Sequence, residues 1–425
     1  MFFLLKLILI VLTSQTYEYV TQDSEIILLP AWEPTGAIEI PLTLKVFGKF
    51  IQLNLHRNDE VVSSALKVEE NYAKDVAEKL WKLKASDICI YFHEGHVSSA
   101  AINFCQEHGL WEGIILVEDD ILEIRPLQNV FVPLSFIDNV CIKDQINQTF
   151  GKPHLIRRLL QYYNDSNFHH INNFKRKQRH VVQEKEQEKF TIKLAVFVDV
   201  EAYRKFKAIL NDDTKITDMM HEYVSFIQTF FYLPSLGIPI DISLVHLHIW
   251  RQQPSGLPVS DGDIAELLPS FCEYVKTLNP PHDDDPNHWD IGLYITAMNL
   301  FKYKWIAVKR ASVLTKSYEI FGESYYDLAC SPHNSCVIVQ FLPFEVESSG
   351  LRSSLNAVHL IGRLLGLEYD SEHETGYFLE RSDDVSIMSR VRPYRGNITW
   401  SPKSREKIKI QLKEKSCFHD NTRRN

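Results

Sequence analysis

Asn356-Ala357-Val358-His359-Leu360-Ile361-Gly362-Arg363-Leu364-Leu365-Gly366-Leu367-Glu368-Tyr369-Asp370 is the stretch on which the reading of this chain turns. Leu360, Ile361, Leu364, Leu365 and Leu367 recur at three- and four-residue spacing, which predicts a helix over 354–367 with an apolar stripe turned to the core. His359 and Arg363, four residues apart, fall on one face of that helix. Gly366 supplies a position where the chain can turn sharply. Taken alone, the segment reads as an ordinary buried helix.

Its spacing resembles, without insertion or deletion, the zinc helix of the metzincin metalloproteases, His-Glu-x-x-His-x-x-Gly-x-x-His-Asp. His359 falls on the first ligand, Gly362 on the small residue of the first turn, Gly366 on the turn glycine and Asp370 on the final acid. In that pattern two imidazoles one turn apart share a metal, a third closes the site after the turn, and the Glu takes a proton from metal-bound water. Here Leu360 stands at the general-base position, Arg363 at the second ligand and Tyr369 at the third. Leucine exchanges no proton, and a guanidinium is a permanent cation with no lone pair for a metal. The resemblance therefore implies a zinc-protease scaffold with no catalytic residues, no bound zinc and His359 as a remnant.

Working outward, Phe190 to Asp199 resembles the first strand of reprolysin domains. Phe271 to Pro280, Asp283-Asp284, His288-Trp289-Asp290 and Leu328 to Cys336 resemble the ADAMTS branch of that family, and Ser386-Ile387-Met388-Ser389 sits where the Met-turn belongs, at Met388. The family likeness implies disulfides Cys272–Cys336 and Cys330–Cys417, with Cys89–Cys105 in the N-terminal half and Cys141 as the odd thiol. Lys193 replaces the Glu that helps bind structural calcium in the family while Asp290 remains, so calcium binding is expected to be weak or absent. Pro402 stands where a family cysteine often follows Trp-Ser.

Alternation predicts strands at Phe190–Val198, Ile242–Trp250, Asp290–Thr296 and Ser335–Phe341, with helices at Ile216–Phe231 and Ile264–Leu278 between them. Strands alternating with helices imply an α/β domain. In the N-terminal half, Ile38 to Ile40 and Ile114 to Val117 read as strands and Ala73 to Leu83 as a helix. That half resembles the same family's prodomain through Cys89-Ile90-Tyr91-Phe92-His93-Glu94-Gly95-His96-Val97, Cys105 and Gly109-Leu110. The fold expected is α/β: a metzincin-like mixed-sheet protease domain with active-site helix and Met-turn over 180–425, preceded by a β-rich α+β prodomain over 17–179.

Between them, residues 172–189 are too polar and charge-dense to bury a core face and read as a solvated linker. Arg176-Lys177-Gln178-Arg179 has the Arg-x-x-Arg spacing cut by secretory-pathway processing proteases, with cleavage expected after Arg179. A short apolar run after Lys6, followed by Thr13-Ser14-Gln15-Thr16, reads as a signal peptide over 1–16 and predicts secretion. Seven cysteines and sequons at Asn147, Asn164 and Asn397 fit that route. Prodomain, processing site and one protease-like domain ending soon after Cys417 are most similar together to the short reprolysins of parasitoid wasp venoms.

The 425 residues carry 45% hydrophobic and 24% charged side chains, a globular composition, and a net charge of −9, which argues against a nucleic-acid partner. No second apolar run is long enough to span a membrane. No Gly-x-Ser-x-Gly elbow supports a serine hydrolase. Two functions stay in view. One is a non-catalytic extracellular homologue that binds protein or peptide targets along an edge strand near Ser324 to Cys330. The other is an active zinc metalloendopeptidase with rearranged ligands drawn from Glu368, Glu372, His373 or Glu374.

Overall fold

The structure is a computed structural model that describes residues 24–29, 39–57, 62–71, 90–95, 98–104, 111–117, 120–127, 152–158, 190–308, 311–342, 350–370, 386–389 and 398–418. The signal peptide, the 73–83 helix, the 172–189 linker with Arg179, Cys89, Cys105, Cys141, the three sequon asparagines and Glu372 to Glu374 lie outside the described residues.

The N-terminal half supplies strands β1 (Ser24–Leu29), β2 (Glu39–Val46), β3 (Lys49–Arg57), β4 (Val62–Asn71), β5 (Ile90–Glu94), β6 (Ser98–Asn103), β7 (Glu112–Val117), β8 (Asp120–Pro126) and β9 (Lys152–Arg158). All but β4 form an eight-stranded antiparallel sheet in the order β1-β9-β8-β7-β6-β5-β3-β2. The C-terminal half runs β10 (Phe190–Val198), α1 (Val200–Leu210), α2 (Asp213–Phe231), β11 (Ile240–Trp250), α3 (Ile264–Leu278), β12 (Ile291–Thr296), β13 (Lys302–Val308), β14 (Ala311–Ser317), β15 (Gly322–Ser324), β16 (Cys336–Gln340), α4 (Leu351–Leu364) and α5 (Pro402–Glu414). This is a mixed α/β architecture.

The second sheet has the order β15-β16-β12-β10-β11-β4, parallel except for β15 against β16. Period two on β10 divides its side chains between two cores. Ile192, Leu194, Val196 and Val198 join α2 and α4 on one face, while Ala195 and Phe197 join α3 on the other. Helix starts follow from acids: Asp199, Asp212 and Asp263 cap α1, α2 and α3 by accepting from the backbone N–H groups of Ala202, Thr214 and Ala265.

The sheet crosses the sequence boundary between the halves. β4, from the N-terminal half, pairs in parallel with β11 of the C-terminal half. Alternation on β7 sends Ile115 into the N-terminal half's own core and Ile114 and Leu116 into the core built around α2. Ser99 Oγ donates to the Thr229 carbonyl at 3.1 Å, and Asn103 Nδ2 donates to Glu222 Oε1 at 2.7 Å, across the same contact.

Several expected spans shift, among them Ile216–Phe231, which starts at Asp213, and Ile242–Trp250, which starts at Ile240; two shifts bear on the site. The helix read over 354–367 runs from Leu351 to Leu364, because the chain enters after Gly350 (φ 72°) and leaves through Gly366 (φ 92°). The edge strand expected near Ser324 to Cys330 is Gly322–Ser324 alone. Beyond it the Asp327 and Ala329 N–H groups donate to the Arg363 and Leu364 carbonyls, satisfying the end of α4 rather than extending a strand.

Candidate functional site

α4 and the turn behind it bring His359, Arg363 and Tyr369 together. The His359 ring stacks on Tyr369 with centroids 5.7 Å apart, and its Nδ1–H donates to the Ile387 carbonyl at 2.8 Å. That bond leaves Nε2 as the lone-pair nitrogen of the neutral ring. One turn on, the Arg363 guanidinium lies over two rings, 4.3 Å from the centre of Tyr326 and 4.2 Å from that of Tyr369. Its Nη1–H donates to the Leu367 carbonyl at 3.1 Å. Tyr326 closes the arrangement by donating its hydroxyl to the Gly366 carbonyl at 3.2 Å.

Tyr326 was not foreseen from sequence. Tyr326, next to Tyr325 in the stretch after β15, carries no periodic or spacing signal, and its role exists only once Gly366 turns the chain towards it.

Leu360 is buried and packs towards β15. A side chain added at Gly322 would meet Leu360 Cδ1 at 2.7 Å and the Ile338 carbonyl at 2.2 Å, so only glycine lets the edge strand lie this close. Ser324 Oγ donates to the Leu360 carbonyl at 2.9 Å, locking strand to helix. Beside it, burial raises the Glu323 carboxyl above its usual range, with Lys302 and Arg363 opposing.

Beneath the helix, Met388 is fully buried, and a Cβ on Gly362 would lie 2.8 Å from its sulfur. The Ser386–Ser389 turn is held by Asp370, whose backbone N–H donates to the Met388 carbonyl at 3.2 Å. The Asp370 carboxylate accepts from the hydroxyls of Ser386 and, at 2.6 Å, Ser401.

Cys272 bonds Cys336, tying α3 to β16, and Cys330 bonds Cys417. These loops of 64 and 87 residues each contribute roughly 4–5 kcal/mol in the chain-entropy picture. At the other end of β10 the Lys193 N–H donates to Asp290 Oδ2 at 2.7 Å, and its ammonium donates to the Asp283 carbonyl at 3.0 Å. Burial pushes the Asp290 carboxyl up to about 7, against the pull of Lys193.

As a place for a divalent ion, the α4 site offers one imidazole, one phenol and a guanidinium with no lone pair. Among the described residues no group of three or more His, Cys, Asp and Glu side chains is placed to hold a metal. Glu368, one of the replacement ligands considered, pairs with Lys403 at 2.8 Å. No described helix is long and apolar enough to cross a membrane.

No family model matches the chain. Among curated proteins it is similar to a disintegrin and metalloproteinase with thrombospondin motifs 13 of mouse, 29% identical over 44% of this chain and 12% of that protein. The human protein of the same name is 30% identical over 41% of this chain and 11% of its own length. The mouse protein numbered 12 in that series is 28% identical over 42% of this chain and 10% of its own. The matched region thus spans about a tenth of these relatives' length.

Proposed function

We propose, for this reprolysin-like chain, the role of a secreted metalloprotease homologue that does not cut peptides and instead binds protein or peptide targets through a retained cleft. The observation that carries this is Arg363 between Tyr326 and Tyr369. A permanent cation fills the place of a second imidazole and is fixed there by two rings and the Leu367 carbonyl. A divalent ion brought to His359 would meet its repulsion in a partly buried setting. Leu360, at the general-base position, takes no proton from water.

In this reading the scaffold is held by packing and hydrogen bonds among its own side chains. Met388 acts as the Met-turn methionine, filling the space under Gly362, and Asp370 holds the turn through hydrogen bonds. Lys193 stands in for a structural calcium ion by placing its own ammonium on the Asp283 carbonyl. β15 lies at the outer edge of its sheet, beside α4, and an extended peptide would add to it there. Secretion is supported by the apolar leader and the two bridges, and a venom setting by domain order alone. The N-terminal half is the prodomain in this reading, cut by a processing protease after Arg179.

The test is hydrolysis of a mixed peptide library by the purified chain and by the triple variant Leu360→Glu, Arg363→His, Tyr369→His. The parent should be inert and the variant should gain chelator-sensitive cleavage. Chelator-sensitive cleavage by the parent would overturn the proposal in favour of an active zinc endopeptidase with rearranged ligands.

A further inference from the structure

Among the described residues β13 and β14 pair with each other alone, as a two-stranded ribbon separate from both larger sheets. An isolated ribbon of two strands is marginal in water, and this one exposes large apolar side chains. Trp305 is 69% exposed, Leu314 47% and Val313 45%, with Tyr303 and Ile306 also outside. Register sets the faces: Trp305 opposite Leu314 with Tyr303 on one, Ile306 opposite Val313 on the other. The apolar pairs thus occupy the distal part of both faces.

The charge of the ribbon is as unusual as its apolarity. Residues 302–317 hold Lys302, Lys304, Lys309, Arg310 and Lys316 and not one acid, in a chain whose net charge is −9. Lys304 and Lys316 reach Glu319 and Asp261 near the base, in exposed pairs that salt screens easily. The base is anchored: Lys316 lies 3.6 Å from the Phe301 ring centre, and buried Phe301 exchanges backbone hydrogen bonds with Gly262 and Ile264.

We propose that this ribbon docks on anionic lipid surfaces, its distal Trp305, Ile306, Val313 and Leu314 entering the headgroup region of the bilayer while Lys302, Lys304 and Lys316 face lipid phosphates and carboxylates. A protein partner would have to cover two opposite faces. A bilayer surrounds both at once and matches a cationic, acid-free element. Tyr and Trp suit the headgroup boundary, with an apolar ring and one polar edge. Binding of this kind needs no spanning helix and does not depend on the fate of the α4 site.

The experiment is sedimentation of the full chain with vesicles of phosphatidylcholine alone and of phosphatidylcholine with about 30% phosphatidylserine. The chain should pellet with the anionic vesicles, stay in solution with the neutral ones, and come off in molar salt. The variant Trp305→Ser, Leu314→Ser removes only exposed side chains, should melt like the parent, and should lower the pelleted fraction at least several-fold. Absence of pelleting on anionic vesicles, or pelleting undiminished in a folded double variant, would overturn the proposal. So would capture of the ribbon by a protein that the double variant fails to bind, without any lipid binding by the parent.

Discussion

The Arg363 guanidinium and the Tyr369 ring are stacked at 4.2 Å, so two positions where the family resemblance places metal ligands hold each other instead. His359 joins this assembly through its own stack on Tyr369. A set of positions that would converge on an ion converges on a cation–π contact.

Replacing Arg363 by Ala should therefore destabilise the fold by about 1–2 kcal/mol, through loss of two ring contacts and a carbonyl partner. Lys at 363 should recover only part, since an ammonium lacks the planar face that stacks. Denaturant unfolding of the three proteins checks the order; equal midpoints would contradict it.

Gly366→Ala should cost more than Gly362→Ala. At 366 the backbone has φ 92°, and a Cβ would sit 2.6 Å from both Asp327 Oδ1 and Gln411 Nε2. Strain of this kind costs roughly 1–3 kcal/mol before the clash is counted. At 362 the new methyl meets the movable Met388 sulfur, and helix propensity offsets part of the cost. Thermal melts of the two variants settle the ranking.

The contact between the halves should weaken as pH rises. Burial first and then the Glu222 carboxylate push Glu112 up to about 8, with Arg125 opposing and Glu123 adding. Asp218 on α2 is raised to about 6 by burial and by Glu222 and Asp212. His221, on the same helix, is held down to about 4 by burial and acts in the opposite sense, only at acid pH. A carboxyl raised on folding stabilises fully below its unfolded value, 4.5 for Glu112, and loses that contribution as pH climbs through about 8. Glu112→Gln should match the parent near the lower value and unfold later above the upper one; a pH-independent difference would contradict this assignment.

Cutting the chain within 172–189 should not separate its halves under native conditions. β4 completes the second sheet, and Ile90, Phe92, Ile114 and Leu116 share a core with α2. The two fragments should elute together by size exclusion and part only in denaturant. Separate elution in native buffer would refute the shared core.

The strand over Phe190–Val198 and the helix over Ile264–Leu278 were legible to the residue, because local periodicity decides each. That His359, Arg363 and Tyr369 lie together was implied by the resemblance to the zinc-helix pattern, and the ring contacts place them so. Two features were not. The addition of β4 to β11 is a non-local pairing with no local signal. Tyr326 and the end of β15 depend on where the carbonyls of Arg363 and Leu364 find donors, which sequence spacing does not encode.

Zinc content of the purified, folded chain tests the central claim most directly. With Arg363 between two rings and His359 the one imidazole beside it among the described residues, elemental analysis after exposure to zinc and desalting should find far less than one equivalent, unchanged in His359→Ala. Close to one tightly held equivalent per chain, lost in His359→Ala, would contradict the account.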